Sequence, residues 1–108
     1  MRALIVLGLV VGSATVAHAN TPESPSRANV MAAMSAVAPA VDACGGGRAG
    51  VVNVSFTFVS SGAVTAVSVR GAQSPQEEAC IAAAARRASV PPFLRPTLVV
   101  NYPFRLGR

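Results

Sequence analysis

Two cysteines, Cys44 and Cys80, and four acids, Glu23, Asp42, Glu77 and Glu78, carry nearly all the reactive side-chain chemistry of this 108-residue chain. Hydrolysis by a nucleophile needs a base beside it. The single histidine is His18, close to the N-terminus, and no lysine occurs anywhere. Serines and threonines are plentiful but have no base to activate them. The cysteines do not form a C-x-x-C redox pair, and too few His, Cys, Asp and Glu residues remain to assemble a metal site. Gly45 to Gly50, GGGRAG, is rich in glycine, yet it follows a helix and precedes a strand, the reverse of a phosphate-binding loop. It reads as a linker. No catalytic, cofactor or metal site is expected, and the protein is not expected to be an enzyme.

What the cysteines do depends on where the chain goes. Arg2 is a short positive region, Ala3 to Val11 is apolar, and Ala17-His18-Ala19 is a small-x-small cleavage site. This is the pattern of a secretory signal peptide over residues 1–19, with cleavage expected after Ala19. The rival is an uncleaved anchor, but the apolar run falls short of the roughly 20 residues a spanning helix needs. A periplasmic or secreted protein with no stable membrane anchor is therefore expected. Such compartments are oxidising, and a Cys44–Cys80 disulfide is the reading they support, with two buried free thiols as the alternative. The bond would close a long loop and contribute roughly 3 to 4 kcal/mol in the chain-entropy model.

Charge narrows the partners. With Arg2 removed in the export segment, eight arginines face the four acids. A nucleic-acid surface would cluster its arginines with aromatics between them. Here only Arg86 and Arg87 are adjacent, so nucleic acid is not an expected partner. A basic surface facing anionic lipid, cell wall or an acidic protein stays open.

The elements that must position these residues are legible. Residues 20–26, NTPESPS, hold two prolines and no apolar side chain, and are expected to be a disordered leader. Ser26 can cap a helix from Arg27 to about Ala43, with Val30, Met34, Val37, Val41 and Cys44 on one stripe. Pro39 lies inside it and predicts a kink or a break into two pieces. Val51 to Val69 reads as a β-hairpin. Val52, Val54, Phe56 and Phe58 alternate with polar residues, Ser60-Ser61-Gly62 makes the turn, and the slip between Val64 and Val67 predicts a bulge.

Ser74-Pro75-Gln76-Glu77 is a capping box that opens a second helix, Pro75 to about Ala88. Its expected inner face is Cys80, Ile81, Ala84, Ala85 and Ala88. Glu77 and Glu78 suit its positive end, and Arg86 and Arg87 its negative end. The last strand is Thr97 to Leu106, with Leu98, Val100, Tyr102, Phe104 and Leu106 on one face. Pro103 cannot donate to a ladder, so an edge or a gap is expected there. The result is an α+β domain over residues 27–108, in the order helix, strand, strand, helix, strand, with a small antiparallel sheet and two helices packed on one face.

The succession Gly50-x-Val52-x-Val54-x-Phe56-x-Phe58, Gly62-x-Val64, Val67-x-Val69, a Ser-capped helix, Pro91-Pro92 and Tyr102-Pro103-Phe104 resembles the TonB C-terminal-like domains. It looks closest to the AgmX/PglI C-terminal group, in which a cysteine before the hairpin and another in the second helix recur, as Cys44 and Cys80 do here. The resemblance covers about Ala28 to Leu106. It departs from the group where an Arg-Arg-Trp-x-Phe-Pro run is replaced by Arg86-Arg87-Ala88-Ser89-Val90-Pro91. It implies a terminal domain travelling alone, without the anchor and proline-rich spanning region of a transducer.

The resemblance further implies a binding or adaptor module of the cell envelope whose sheet edge accepts a strand from a protein partner. The final strand is the candidate edge, with Val99, Asn101, Tyr102 and Arg105 as the candidate partner-binding residues. Core packing is the competing role for Tyr102. The alternative function is a disulfide-stapled structural envelope protein that homodimerises through its edge strand.

Overall fold

The computed structural model describes residues 21–107. The expected signal segment and its cleavage site lie outside the described residues. Five elements follow in the expected order: α1 (Arg27–Cys44), β1 (Gly50–Val59), β2 (Val64–Arg70), α2 (Pro75–Ala85) and β3 (Thr97–Leu106). β1 is the middle strand of an antiparallel sheet ordered β2-β1-β3. The helices pack on one face, α1 against α2 and β3, and α2 against β2.

Alternation builds the inner layer. Val52, Val54, Phe56 and Phe58 of β1 are almost fully buried. Register sets Val54 opposite Val69 and Phe56 opposite Val67 on β2. On the other side, Val52, Val54, Phe56 and Phe58 face Phe104, Tyr102, Val100 and Leu98 of β3. Met34, Val37 and Val41 of α1 and Ile81, Ala84 and Ala85 of α2 close the core from above. Alanine on α2 removes bulk, so the helix can approach the sheet closely. Phe56 stacks on Phe58 at 5.9 Å and meets Phe104 edge-on at 6.2 Å. These offset and edge-to-face arrangements suit the aromatic quadrupole.

The hairpin turn needs its glycine twice over. Val59 donates to the Ala63 carbonyl and Gly62 donates back to Val59. Gly62 sits at φ 94°, in the left-handed region. It is also pressed against Val90, whose carbonyl a Cβ at this position would strike. The expected bulge is present. Thr57 pairs with Ala66 but Phe58 pairs with Val64, which leaves Thr65 as the extra residue.

The helices depart from expectation in three ways. Of the kink or break expected at Pro39, the break is absent, and α1 runs unbroken from Arg27 to Cys44 behind its Ser26 cap. Proline leaves the Ser35 carbonyl without its helical donor. Both Ser35 and Pro39 are exposed, so water can serve that carbonyl while Met34, Val37 and Val41 hold the opposite side in the core. The second helix stops at Ala85 rather than Ala88, which leaves Arg86 as its C-cap and Arg87 beyond it. The chain is drawn away there because Ser89 bridges to Ala63 and Val90 donates to Gly62.

Third, Cys80 is exposed, not part of the inner face. The buried stripe of α2 is Glu77, Ile81, Ala84 and Ala85, continued past the helix by Ala88. Cys80 flanks that stripe, where it joins Cys44 at the end of α1, with the two Cα atoms 5.7 Å apart. The disulfide is therefore a staple between the helices at the surface.

The leader is also tied down where it meets the domain. Leu94 donates to the Pro22 carbonyl at 3.0 Å and Arg95 to the Glu23 carbonyl at 3.1 Å. The chain thus enters α1 from beside the start of β3.

Candidate partner-binding edge

Which groups β3 offers outward follows from one turn. Both backbone groups of Val59 are engaged across the hairpin, so the odd residues of β1 face β2. Bonding direction alternates along a strand, so the even residues, 50 to 58, face β3. Their partners are Leu106, Phe104, Tyr102, Val100 and Leu98. The odd residues of β3 therefore point their backbone away from the sheet. Thr97, Val99, Asn101 and Arg105 present amides and carbonyls there, and Pro103 a carbonyl alone. The proline falls on an outward position, where its missing N–H breaks no bond to β1.

The same parity places the side chains. Val99 is 58% exposed, and Asn101 and Arg105 are also exposed, on the sheet face away from the helices. Tyr102 is separated from them. It lies half-buried on the inner side and tilts against Phe104 with ring centroids 4.8 Å apart. Three of the four residues expected to act together share a face, and Tyr102 belongs to the rim of the core.

Beside this edge runs an open groove between α1 and β3. Ala38, Pro39, Tyr102 and Phe104 give it apolar walls, and Ser35, Asp42 and Arg105 border it. Asp42 accepts a hydrogen bond from the Gly107 amide at 2.7 Å, which fixes the end of β3 to α1. The outer face of the sheet differs. Asn53, Ser55, Ser68, Arg70 and Asn101 line a shallow polar depression on it. No strand residue is acidic.

The one cluster of charged groups that the sequence did not disclose joins the glycine-rich linker to α2. Arg48 grips Glu77 with both ends of its guanidinium, Nε to Oε2 at 2.9 Å and Nη2 to Oε1 at 2.7 Å. Glu77 also accepts from the Gln73 amide at 2.7 Å, while its own amide donates to Ser74 Oγ at 3.0 Å. Arg48 further reaches the Gly71 carbonyl at 3.3 Å. The hydrogen bond from Arg48, and then the one from Gln73, hold the Glu77 carboxyl below the usual carboxylate range. Burial opposes that shift but does not reverse it.

Both Glu77 oxygens are bound by Arg48, so the cluster is a clamp and not an open site. Glu77 was legible as a cap residue, but not as the anchor of a loop 29 positions away. The one available signal was a lone arginine inside GGGRAG. Among the described residues, Arg48–Glu77 is the single ion pair, which leaves Arg70, Arg95 and Arg105 without a carboxylate partner there. Among the same residues, no three His, Cys, Asp or Glu side chains converge as metal ligands would. No helix in them is long and apolar enough to cross a membrane.

The chain matches no protein-family model, no curated protein and no solved structure.

Proposed function

We propose that this protein is a non-catalytic, exported binding module of the cell envelope that engages a protein partner by accepting a strand along β3. On this reading it works as the TonB C-terminal-like domains it resembles would. The observation that carries the proposal is the open β3 edge. The strand spans Thr97–Leu106, has its odd-numbered backbone groups directed outward, and runs beside a groove that can take side chains. Strand addition draws affinity from such main-chain bonds and specificity from alternate side chains. The Cys44–Cys80 staple suits an oxidising compartment and holds α1 against α2.

The test is photo-cross-linking in the native cell, with the reactive side chain at Asn101 and a control at exposed Gln76 on α2. The expected result is one envelope protein captured from Asn101 and not from Gln76, and lost in Val99→Pro. Equal capture at both positions, or capture that survives Val99→Pro, overturns the edge as the site. Self-cross-links alone at Asn101 transfer the edge to the homodimer reading.

A further inference from the structure

The two sides of the β3 edge differ in chemistry, and that difference specifies the strand that fits. Resting on the edge reading above, we infer that the partner segment is an extended peptide of alternating character, acidic on the outer face and apolar toward the α1–β3 groove. An added strand carries its side chains alternately to the two faces of the enlarged sheet.

Toward the helices it meets Ala38, Pro39, Tyr102 and Phe104, which are apolar, and Asp42, which repels a carboxylate, while Arg105, whose side chain leaves β3 on the outer face by strand parity, reaches the border of the same groove. On the outer face it meets exposed Arg105 on β3 itself, without a carboxylate partner among the described residues. Arg70 adds to the field. It is opposite Asn53, which is opposite Pro103, so it stands two strand spacings from β3 and three from an added strand, about 14 Å. That is beyond one Debye length at about 0.1 M salt, so it acts on the approach more than on the contact. Exposed Arg95 stands just ahead of the strand, again without a carboxylate partner among the described residues.

Pro103 sets the register. Thr97, Val99 and Asn101 offer uninterrupted donors, whereas a partner carbonyl opposite Pro103 finds none. The main-chain bonds therefore concentrate on the first half of β3. The carboxylates count most near Arg105, where the ladder is weakest.

The probes are three fluorescein-labelled decapeptides of alternating sequence, (Glu-Val)5, (Ser-Val)5 and (Lys-Val)5, titrated with the oxidised protein by fluorescence anisotropy. The expected order is (Glu-Val)5 tightest, about tenfold over (Ser-Val)5, with (Lys-Val)5 weakest, since complementary charge separates partners by such factors. Raising the salt should narrow the gap. Arg105→Glu should narrow it further, and the Arg70→Glu, Arg105→Glu double variant should invert the preference toward (Lys-Val)5. Val99→Pro should abolish binding of all three.

Equal binding of (Glu-Val)5 and (Ser-Val)5, both lost in Val99→Pro, overturns the acidic specificity and leaves the edge reading standing. Binding that Val99→Pro does not touch, or no binding of any peptide, overturns both.

Discussion

Removing the disulfide is the sharpest test of how this small domain is held together. The pair closes a loop of sequence separation 36 between the end of α1 and the middle of α2. The chain-entropy model assigns such a loop a denatured-state entropy loss of about 13 cal/mol/K, or about 4 kcal/mol at 25 °C. Domains of this size have a net stability of roughly 5 to 10 kcal/mol, so the bond is a large share of the whole. The Cys44→Ser, Cys80→Ser variant should therefore lose about 3 to 4 M in urea midpoint, taking a slope of about 1 kcal/mol/M for a small domain.

Exposure of Cys80 adds a kinetic expectation, that a small reductant reaches the bond without global unfolding. Reduction followed by thiol labelling should proceed at a rate that is insensitive to low urea. Circular dichroism in urea, with the wild type run oxidised and reduced, reads the equilibrium half. A midpoint shift under about 1 M would refute the loop-entropy reasoning. Reduction that accelerates in step with global unfolding would refute the claim that the staple is accessible.

Three further expectations follow from particular contacts. Glu77 has a folded pKa below its unfolded one, so its contribution to stability is present above the unfolded value and is lost as pH falls through the folded value. Melting temperatures taken from neutral pH down into the acid range should fall more steeply for the wild type than for Glu77→Gln. Parallel profiles would remove the clamp from the stability of the fold. Gly62→Ala places a Cβ against the Val90 carbonyl at a φ of 94° and should cost at least about 2 kcal/mol in a urea melt. A neutral result would mean that the turn can be rebuilt. Val99→Pro removes only an outward amide and should unfold within about 1 kcal/mol of the wild type, whereas Val100→Pro deletes a bond to Phe56 and should cost several times more. Equal losses in these two variants would refute the parity assigned to β3.

Much of this architecture was legible because burial in strands has a period of two and leaves its mark on residue type. Val52, Val54, Phe56 and Phe58 could face only one way, and the slip before Val67 located the bulge at Thr65. Caps were legible for the same local reason. Ser26 and Ser74 each accept from an amide three residues on.

What was hidden depended on pairs that are distant in sequence. Helical periodicity alone did not decide whether Cys80 or Glu77 shared the stripe with Ile81. Arg48 decides it, by neutralising a carboxylate that burial alone would disfavour. The end of α2 was misplaced for a related reason, since the bridge from Ser89 to Ala63 competes with the helix and cannot be seen from local propensity. Nor does alternation distinguish an edge strand from a central one. Only Pro103 hinted that, among the described residues, β3 has no neighbour on its far side.

That hint and the candidate site have one physical origin. In any strand, side-chain face and backbone direction both alternate with period two, so they cannot be varied separately. Once Tyr102, Phe104 and Leu106 are turned toward the helices, their amides are bound to β1. Val99, Asn101 and Arg105 then present both side chain and backbone outward. Substitution at the even residues of β3 is felt in the core, while substitution at the odd ones is felt at the edge. A proline at 103 is tolerated because it falls in the second set. An edge with this division can accept substitution at 99, 101 and 105 while leaving the hydrophobic core and its bonds to β1 intact.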